Sequence, residues 1–116
     1  MKPHLHSNAS AVKWGGKPEE YLHIHNFIDS SKAHFADMRH RALLHSSFGI
    51  YLCEQVFGIT FVNSAGKVVS VRDVAEAHVI EDLGKIPSVQ DYLQHMTLEP
   101  LMSGAVTRIK RYSMVD

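Results

Sequence analysis

The chain has 116 residues, which suits one domain, and its hydrophobic fraction of 45% can supply a single core. Its 12 Lys and Arg are balanced by 12 Asp and Glu, so no basic excess is available for phosphates and we expect no nucleic-acid partner. The sequence has no apolar run of about 18 residues and no apolar leader, so we expect a cytoplasmic protein and no membrane partner.

The first half of the sequence reads as an arm followed by helices. Residues 1–17 lack apolar periodicity, which predicts an irregular N-terminal arm. Pro18 and the two acidic residues after it are typical of a helix start and predict a helix over residues 18–29. Residues 32–57 contain no Pro and only one Gly, and their apolar residues recur at helical spacing. They predict one long helix or two consecutive ones, with the weak point at residues 46–49.

The second half contains the one β-type pattern. Two β-branched runs flank a turn at residues 63–66, which predicts a hairpin over residues 59–69. A capped helix is expected over residues 71–83, and Ser88 can cap a short helix that ends near Met96. Residues 97–116 are expected to form a C-terminal tail.

These elements predict a mainly α fold, a small helical bundle with one β-hairpin between the second and third helices, over residues 18–96. A two-stranded hairpin is marginal on its own, so it needs cover. We therefore expect a homo-oligomer, and a separate protein partner is the other way to cover its edge.

Nine His residues are the unusual feature of the composition. His25 with Asp29, and His78 with Asp82, share a spacing of four, which puts each pair on one helix face. Two such helices can close around one divalent ion, as helical bundles do. Imidazole with carboxylate suits Zn, Fe, Mn or Ni. The candidate metal ligands are His25, Asp29, His40, His45, His78 and Asp82. An Asp that merely orients a His by a hydrogen bond is the structural alternative.

Charged residues near these His supply candidate catalytic groups. Glu54 or Glu81 is a candidate base for activating a metal-bound water. Arg39 or Arg41 is a candidate clamp for the charge of a substrate. Covalent catalysis is not indicated, because Cys53 lies in an apolar run and His45, eight residues earlier, is too far along one helix to act as its base.

Short motifs spread over about residues 10–96 form a recognisable pattern. They are Lys17-Pro18-Glu19-Glu20-Tyr21, Ile24-His25, Asp29-Ser30-Ser31-Lys32, residues 37–43, Asn63-Ser64 with Gly66, Val71-Arg72, His78 with Glu81-Asp82 and Gly84, and Ile86-Pro87-Ser88. This pattern resembles a family of small uncharacterised proteins of bacteria and bacteriophages, labelled as a domain of unknown function. The resemblance implies no activity. It implies that the following residues match motif positions: His25, Asp29, Arg39, His40, Arg41, His45, Glu54, His78 and Asp82.

Two functional hypotheses from different classes follow. The first is a metal-binding domain, and more specifically a metal-dependent hydrolase of a phosphate ester. Its helical His and Asp pattern is reminiscent of the metal-dependent phosphohydrolases with a His–Asp pair, although their adjacent His-Asp dipeptide is absent here. The second is a non-catalytic, phage-encoded interaction protein, in which His, Arg and Asp form a structural polar network.

Overall fold

A computed structural model describes residues 1–104, in which helices predominate and one hairpin lies between the fourth and fifth helices. The elements are α1 (Pro3–Trp14), α2 (Leu22–Asp29), α3 (Arg41–Leu44), α4 (Ser47–Phe57), β1 (Thr60–Val62), β2 (Val68–Ser70), α5 (Val71–Leu83) and α6 (Val89–Leu93). Single 3-10 turns cover Pro18–Glu20, Ser30–Ala33, Met38–His40 and Pro100–Ser103. The predicted mainly α class with a hairpin is confirmed. Of the predicted tail over 97–116, the part from residue 105 onward lies outside the described residues.

The prediction of an irregular arm over residues 1–17 is wrong, because Pro3–Trp14 forms helix α1. The buried residues of α1 are polar, namely His6, Ser7 and Ser10. A polar buried face leaves no apolar periodicity to detect. Two end signals were nevertheless present, because Pro3 stands in the first turn and Gly15, with φ of 88°, follows the last residue.

Of the two arrangements predicted for residues 32–57, one long helix is wrong. The chain does break at the predicted weak point, and Met38–His40 is a 3-10 turn. Helix α3 is only four residues long, and α4 begins after a break at Ser46, whose side chain accepts a hydrogen bond from the Gly49 N–H. A Cβ on Gly49 would lie 1.8 Å from the carbonyl oxygen of Leu44. Glycine therefore permits the chain to fold back tightly here, at the weak point that the sequence indicated. Likewise, the helix predicted over 18–29 starts as a separate 3-10 turn before α2.

The hairpin and the helices after it follow the predicted signals. Strands β1 and β2 are antiparallel, with Thr60 opposite Ser70. The Ser70 side chain caps α5 by accepting from the Asp73 N–H, and Gly84 ends that helix in the left-handed conformation. Ser88 and Asp91 form a capping box at the start of α6.

The apolar core lies between α2, α4, α5 and the hairpin. Its buried members are Tyr21, Ile24, Ile28, Ile50, Cys53, Val69, Val71, Val74, Ala75 and Val79. Asn63, in the hairpin loop, ties the first helix to this core: its side-chain amide donates to the Trp14 carbonyl and to the Tyr21 hydroxyl. Within residues 1–104, none of the helices combines the length and the apolar character that crossing a bilayer requires.

Candidate metal centre

Four ligand-type atoms converge where α2, α5 and the residue after α3 meet. His45 Nε2 lies 3.2 Å from Asp29 Oδ1 and 3.0 Å from Asp82 Oδ2. His78 Nε2 lies 3.2 Å from the same Asp29 oxygen and 3.3 Å from the same Asp82 oxygen. All four atoms lie within 4.8 Å of one another. We call Asp29, His45, His78 and Asp82 the four-residue cluster.

Local structure explains how these four side chains meet. His78 and Asp82 share one face of α5, four residues apart, and Asp29 is the last residue of α2. His45 is the residue after α3, with a non-helical backbone. Its carbonyl accepts a hydrogen bond from the Tyr92 hydroxyl at 2.8 Å. The break before α4 thus aims His45 at the other three.

The cluster is buried but reaches a cleft through Asp29. The side chains of His45 and His78 are fully buried and that of Asp82 is 1% exposed, whereas that of Asp29 is 17% exposed. A cleft of about 510 Å³ adjoins Asp29. Three basic side chains line this cleft, those of Lys2, Lys32 and Arg41. An anion can therefore approach the cluster from this side.

The charge state of the cluster suits a cation. Burial alone would raise the pKa of Asp29, but the hydrogen bond from the His45 ring holds it below its usual range. Burial likewise opposes ionisation of Asp82, yet the amino group of Met1 and the nearby His6 hold its pKa below the ordinary value. Burial also lowers the pKa of His78, against the effect of Asp29. Two carboxylates and a neutral imidazole are the protonation states that metal ligands require.

His25, a predicted ligand, lies behind His78 and outside the four-residue cluster. Its Nδ1 is 2.8 Å from His78 Nδ1, and its Nε2 is 2.8 Å from the Ser10 hydroxyl. His6, His25 and His78 also form a group with ring nitrogens within 4.8 Å. The four-residue cluster also supplies two carboxylates, which offset the charge of a divalent ion, so it is the better candidate site.

Sequence reasoning missed His6, because it falls in the arm that was expected to be irregular. The His6 ring is fully buried, and its Nδ1 donates to Glu81 Oε1 at 2.6 Å. Its Nε2 lies 3.1 Å from Asp82 Oδ1. His6 therefore packs against the back of the cluster. The signal that could have found it is the pair of helix-end residues that delimit α1.

The other predicted site residues divide into near and distant ones. Arg41 is near, with a guanidinium nitrogen 3.9 Å from Asp82 Oδ1. Glu81 also lies beside the site, held by His6. His40 lines the cleft, but its Nδ1 is hydrogen-bonded to Ser31 at 2.9 Å. Two residues are not brought to the cluster: exposed Arg39 pairs with Asp37 at 2.8 Å, and Glu54 lies beside a different cleft.

Cys53 is unsuited to act as a nucleophile. Its side chain is buried in the core. Burial, with a smaller effect of Glu54, raises the pKa of its thiol to about 12. The thiolate form that nucleophilic attack requires is therefore scarce at neutral pH.

Comparison with known proteins places the chain in a family without an assigned activity. The chain belongs to the domain of unknown function DUF6915, whose family model matches residues 1–102. The predicted resemblance to a family of uncharacterised proteins is confirmed, and the match includes α1, which the motif pattern left out. The bacterial or phage source stays a prediction.

No curated protein and no solved structure matches the chain.

Proposed function

We propose that this domain binds one divalent metal ion between Asp29, His45, His78 and Asp82. The observation that carries the proposal is the set of four distances, 3.0 to 3.3 Å, that link each imidazole Nε2 to both carboxylates. Metal–ligand bonds of about 2.0 Å put neighbouring ligands of a tetrahedral ion about 3.3 Å apart. Octahedral ions with bonds of about 2.1 Å put them about 3.0 Å apart. The cluster fits either arrangement.

Charge and ligand type support the same conclusion. Two ionised carboxylates held this close repel one another, and a divalent cation between them offsets that repulsion. Mixed imidazole and carboxylate ligands suit Zn, Fe, Mn or Ni. Among residues 1–104, the Met1 amino group, at 2.7 Å, and Arg41, at 3.9 Å, approach Asp82 at Oδ1, whereas His45 and His78 meet its Oδ2.

We further propose that the bound metal serves to hydrolyse a phosphate ester. A metal ion in such a site lowers the pKa of a coordinated water and polarises a phosphoryl oxygen. Lys2, Lys32 and Arg41 line the adjoining cleft and would bind the substrate phosphate. Arg41 reaches both the cleft and Asp82, so it is the candidate clamp, whereas Arg39 pairs with Asp37 at the surface.

Elemental analysis tests the metal proposal. Untagged protein, purified without a nickel column, should contain close to one equivalent of metal, and His78→Ala should contain almost none. His34→Ala is the matched control, because exposed His34 lies outside the cluster and should leave the metal content unchanged. Wild-type protein that holds no metal, and takes up none of Zn, Fe, Mn or Ni, would favour the alternative of a purely structural polar network.

Hydrolysis is tested separately with p-nitrophenyl phosphate as the probe. The metal-loaded protein should hydrolyse it, and Arg41→Ala should lower kcat/KM on the order of 100-fold at unchanged metal content. Arg39→Ala is the control and should retain activity. A metal-loaded protein with no activity on several phosphate esters would contradict the hydrolase proposal and leave the metal centre standing.

A further inference from the structure

A chain of three buried hydrogen bonds runs from helix α1 to the back of the cluster. The Ser10 hydroxyl lies 3.0 Å from the carbonyl oxygen of His6, one turn earlier in the helix. A carbonyl oxygen can only accept, so this contact uses the single proton of the Ser10 hydroxyl. The hydroxyl oxygen must then accept from its second partner, His25 Nε2, at 2.8 Å.

This direction determines the proton position on His25. The His25 ring is fully buried and its two hydrogen-bond partners are a hydroxyl and another imidazole, so the ring is neutral and carries one proton. That proton is on Nε2, because Nε2 donates to Ser10. Nδ1 of His25 is then an acceptor, and its partner at 2.8 Å, His78 Nδ1, must donate.

The same reasoning puts a proton on His78 Nδ1. In the neutral ring Nε2 then carries the lone pair, and that atom faces Asp29 and Asp82 at 3.2 and 3.3 Å. We infer that His25 is a positioning residue that holds His78 in the tautomer whose Nε2 is ready to bind a metal. This inference rests on the proposed metal centre and extends it to a residue that touches no metal.

The arrangement is unfavourable for a purely structural network. In the neutral form of His78, a lone pair that faces two carboxylate oxygens gains no hydrogen bond and is repelled by both of them. The opposite tautomer would let His78 donate to either carboxylate, but it would leave the His6 carbonyl and the Ser10 hydroxyl facing each other without a shared proton. A cation in the cluster removes the conflict, in the way that ligating His residues usually donate their other nitrogen to a fixed partner.

Nitrogen-15 NMR of the His rings tests the tautomer directly. The full-length protein is treated with a chelator and measured slightly above neutral pH, where long-range proton–nitrogen correlations distinguish a protonated from an unprotonated ring nitrogen. The inference expects the proton of His78 on Nδ1 and that of His25 on Nε2. A His78 ring with its proton on Nε2 would overturn it.

Variants of His25 test the consequence for metal binding. His25→Phe keeps a flat ring but removes the acceptor, so Zn affinity measured by calorimetry should fall about 10- to 100-fold. His25→Asn keeps an acceptor near the position of Nδ1 and should recover most of that affinity. Equal affinities for both variants and the wild type would overturn the positioning role. If wild-type protein shows the expected tautomer but binds no metal, the metal centre fails and the hydrogen-bond chain stands.

Discussion

The imidazole ring of His6 stacks on that of His78, with ring centroids 3.7 Å apart and planes inclined by 24°. His6 belongs to the first helix and His78 to the fifth, so the contact fastens the N-terminal helix to the candidate metal centre. The helix is consequently part of the site and not an appendage to it.

Replacing His6 should therefore destabilise the whole domain. His6→Ala removes a fully buried ring and its hydrogen bond to Glu81. We expect a loss of about 3 kcal/mol in the free energy of unfolding, typical of a large-to-small change in a core. Urea denaturation measures it. His4→Ala, exposed on the same helix, is the control and should change little. Similar values for the two variants would mean that α1 is not packed as described.

Metal binding should raise the melting temperature through the four-residue cluster. At a metal concentration about 100 times Kd, the gain is about 2.7 kcal/mol, because the unfolded chain cannot hold the ligands together. In a domain of this size, that is a Tm shift on the order of 10 °C, measurable by calorimetry. His45→Ala and His78→Ala should lose the shift, and His34→Ala should keep it. A full shift in His45→Ala and His78→Ala would contradict the assignment.

Without metal, the domain should lose stability as the pH falls from about 6.5 towards 3. Burial, with His78 and His6, lowers the pKa of His25 in the folded state to about 3 from an ordinary 6.5. Between these values the unfolded chain binds a proton that the folded chain does not. The free energy of unfolding is therefore highest above about pH 6.5 and decreases as the pH falls towards 3. Urea denaturation with a chelator at several pH values measures the decrease. His25→Asn cannot titrate there and should show a shallower slope; identical slopes would argue against this origin.

Gly49→Ala should destabilise the domain, although helix propensity favours alanine over glycine. In an exposed helix interior, Gly→Ala stabilises by about 1 kcal/mol. Here the added Cβ would lie 1.8 Å from the Leu44 carbonyl oxygen, so the backbone beside His45 must move. We expect Gly49→Ala to be about 2 kcal/mol less stable than the wild type in urea denaturation. Gln55→Ala, exposed on the same helix, is the control and should be nearly neutral. A stabilised Gly49→Ala would show that the turn is looser than described.

The hairpin should mediate self-association. Ile59, which precedes β1, Val62 on β1 and Val68 on β2 are each more than 60% exposed. Light scattering at micromolar concentration should therefore give a mass above the 13.0 kDa of one chain. Val62→Lys should lower that mass, and Val12→Lys, at a more exposed position on α1, should not. A wild-type mass near that of one chain would defeat the prediction.

Local chemistry was enough to predict the hairpin and the helices that follow it. Ser70, Gly84 and Ser88 act on backbone groups within a few residues of themselves, so their effect on helix ends does not depend on the rest of the fold. The spacing of His78 and Asp82 on one helix face was predictable for the same reason, since it follows from the pitch of the helix.

Long-range packing determined the rest. Helix α1 buries polar side chains, so its sequence carries no apolar stripe, and tertiary contacts such as the stacking of His6 on His78 hold it in place. The turn at Gly49 depends on the close approach of the Leu44 carbonyl to a missing Cβ, a backbone path that apolar periodicity does not reveal. His45 lies beside that turn and joins the cluster, whereas His40 does not, although both were predicted to be helical. Which nitrogen of which ring meets which carboxylate is a property of how α2, α3 and α5 pack, because hydrogen-bond distances depend on the tertiary arrangement and not on sequence separation.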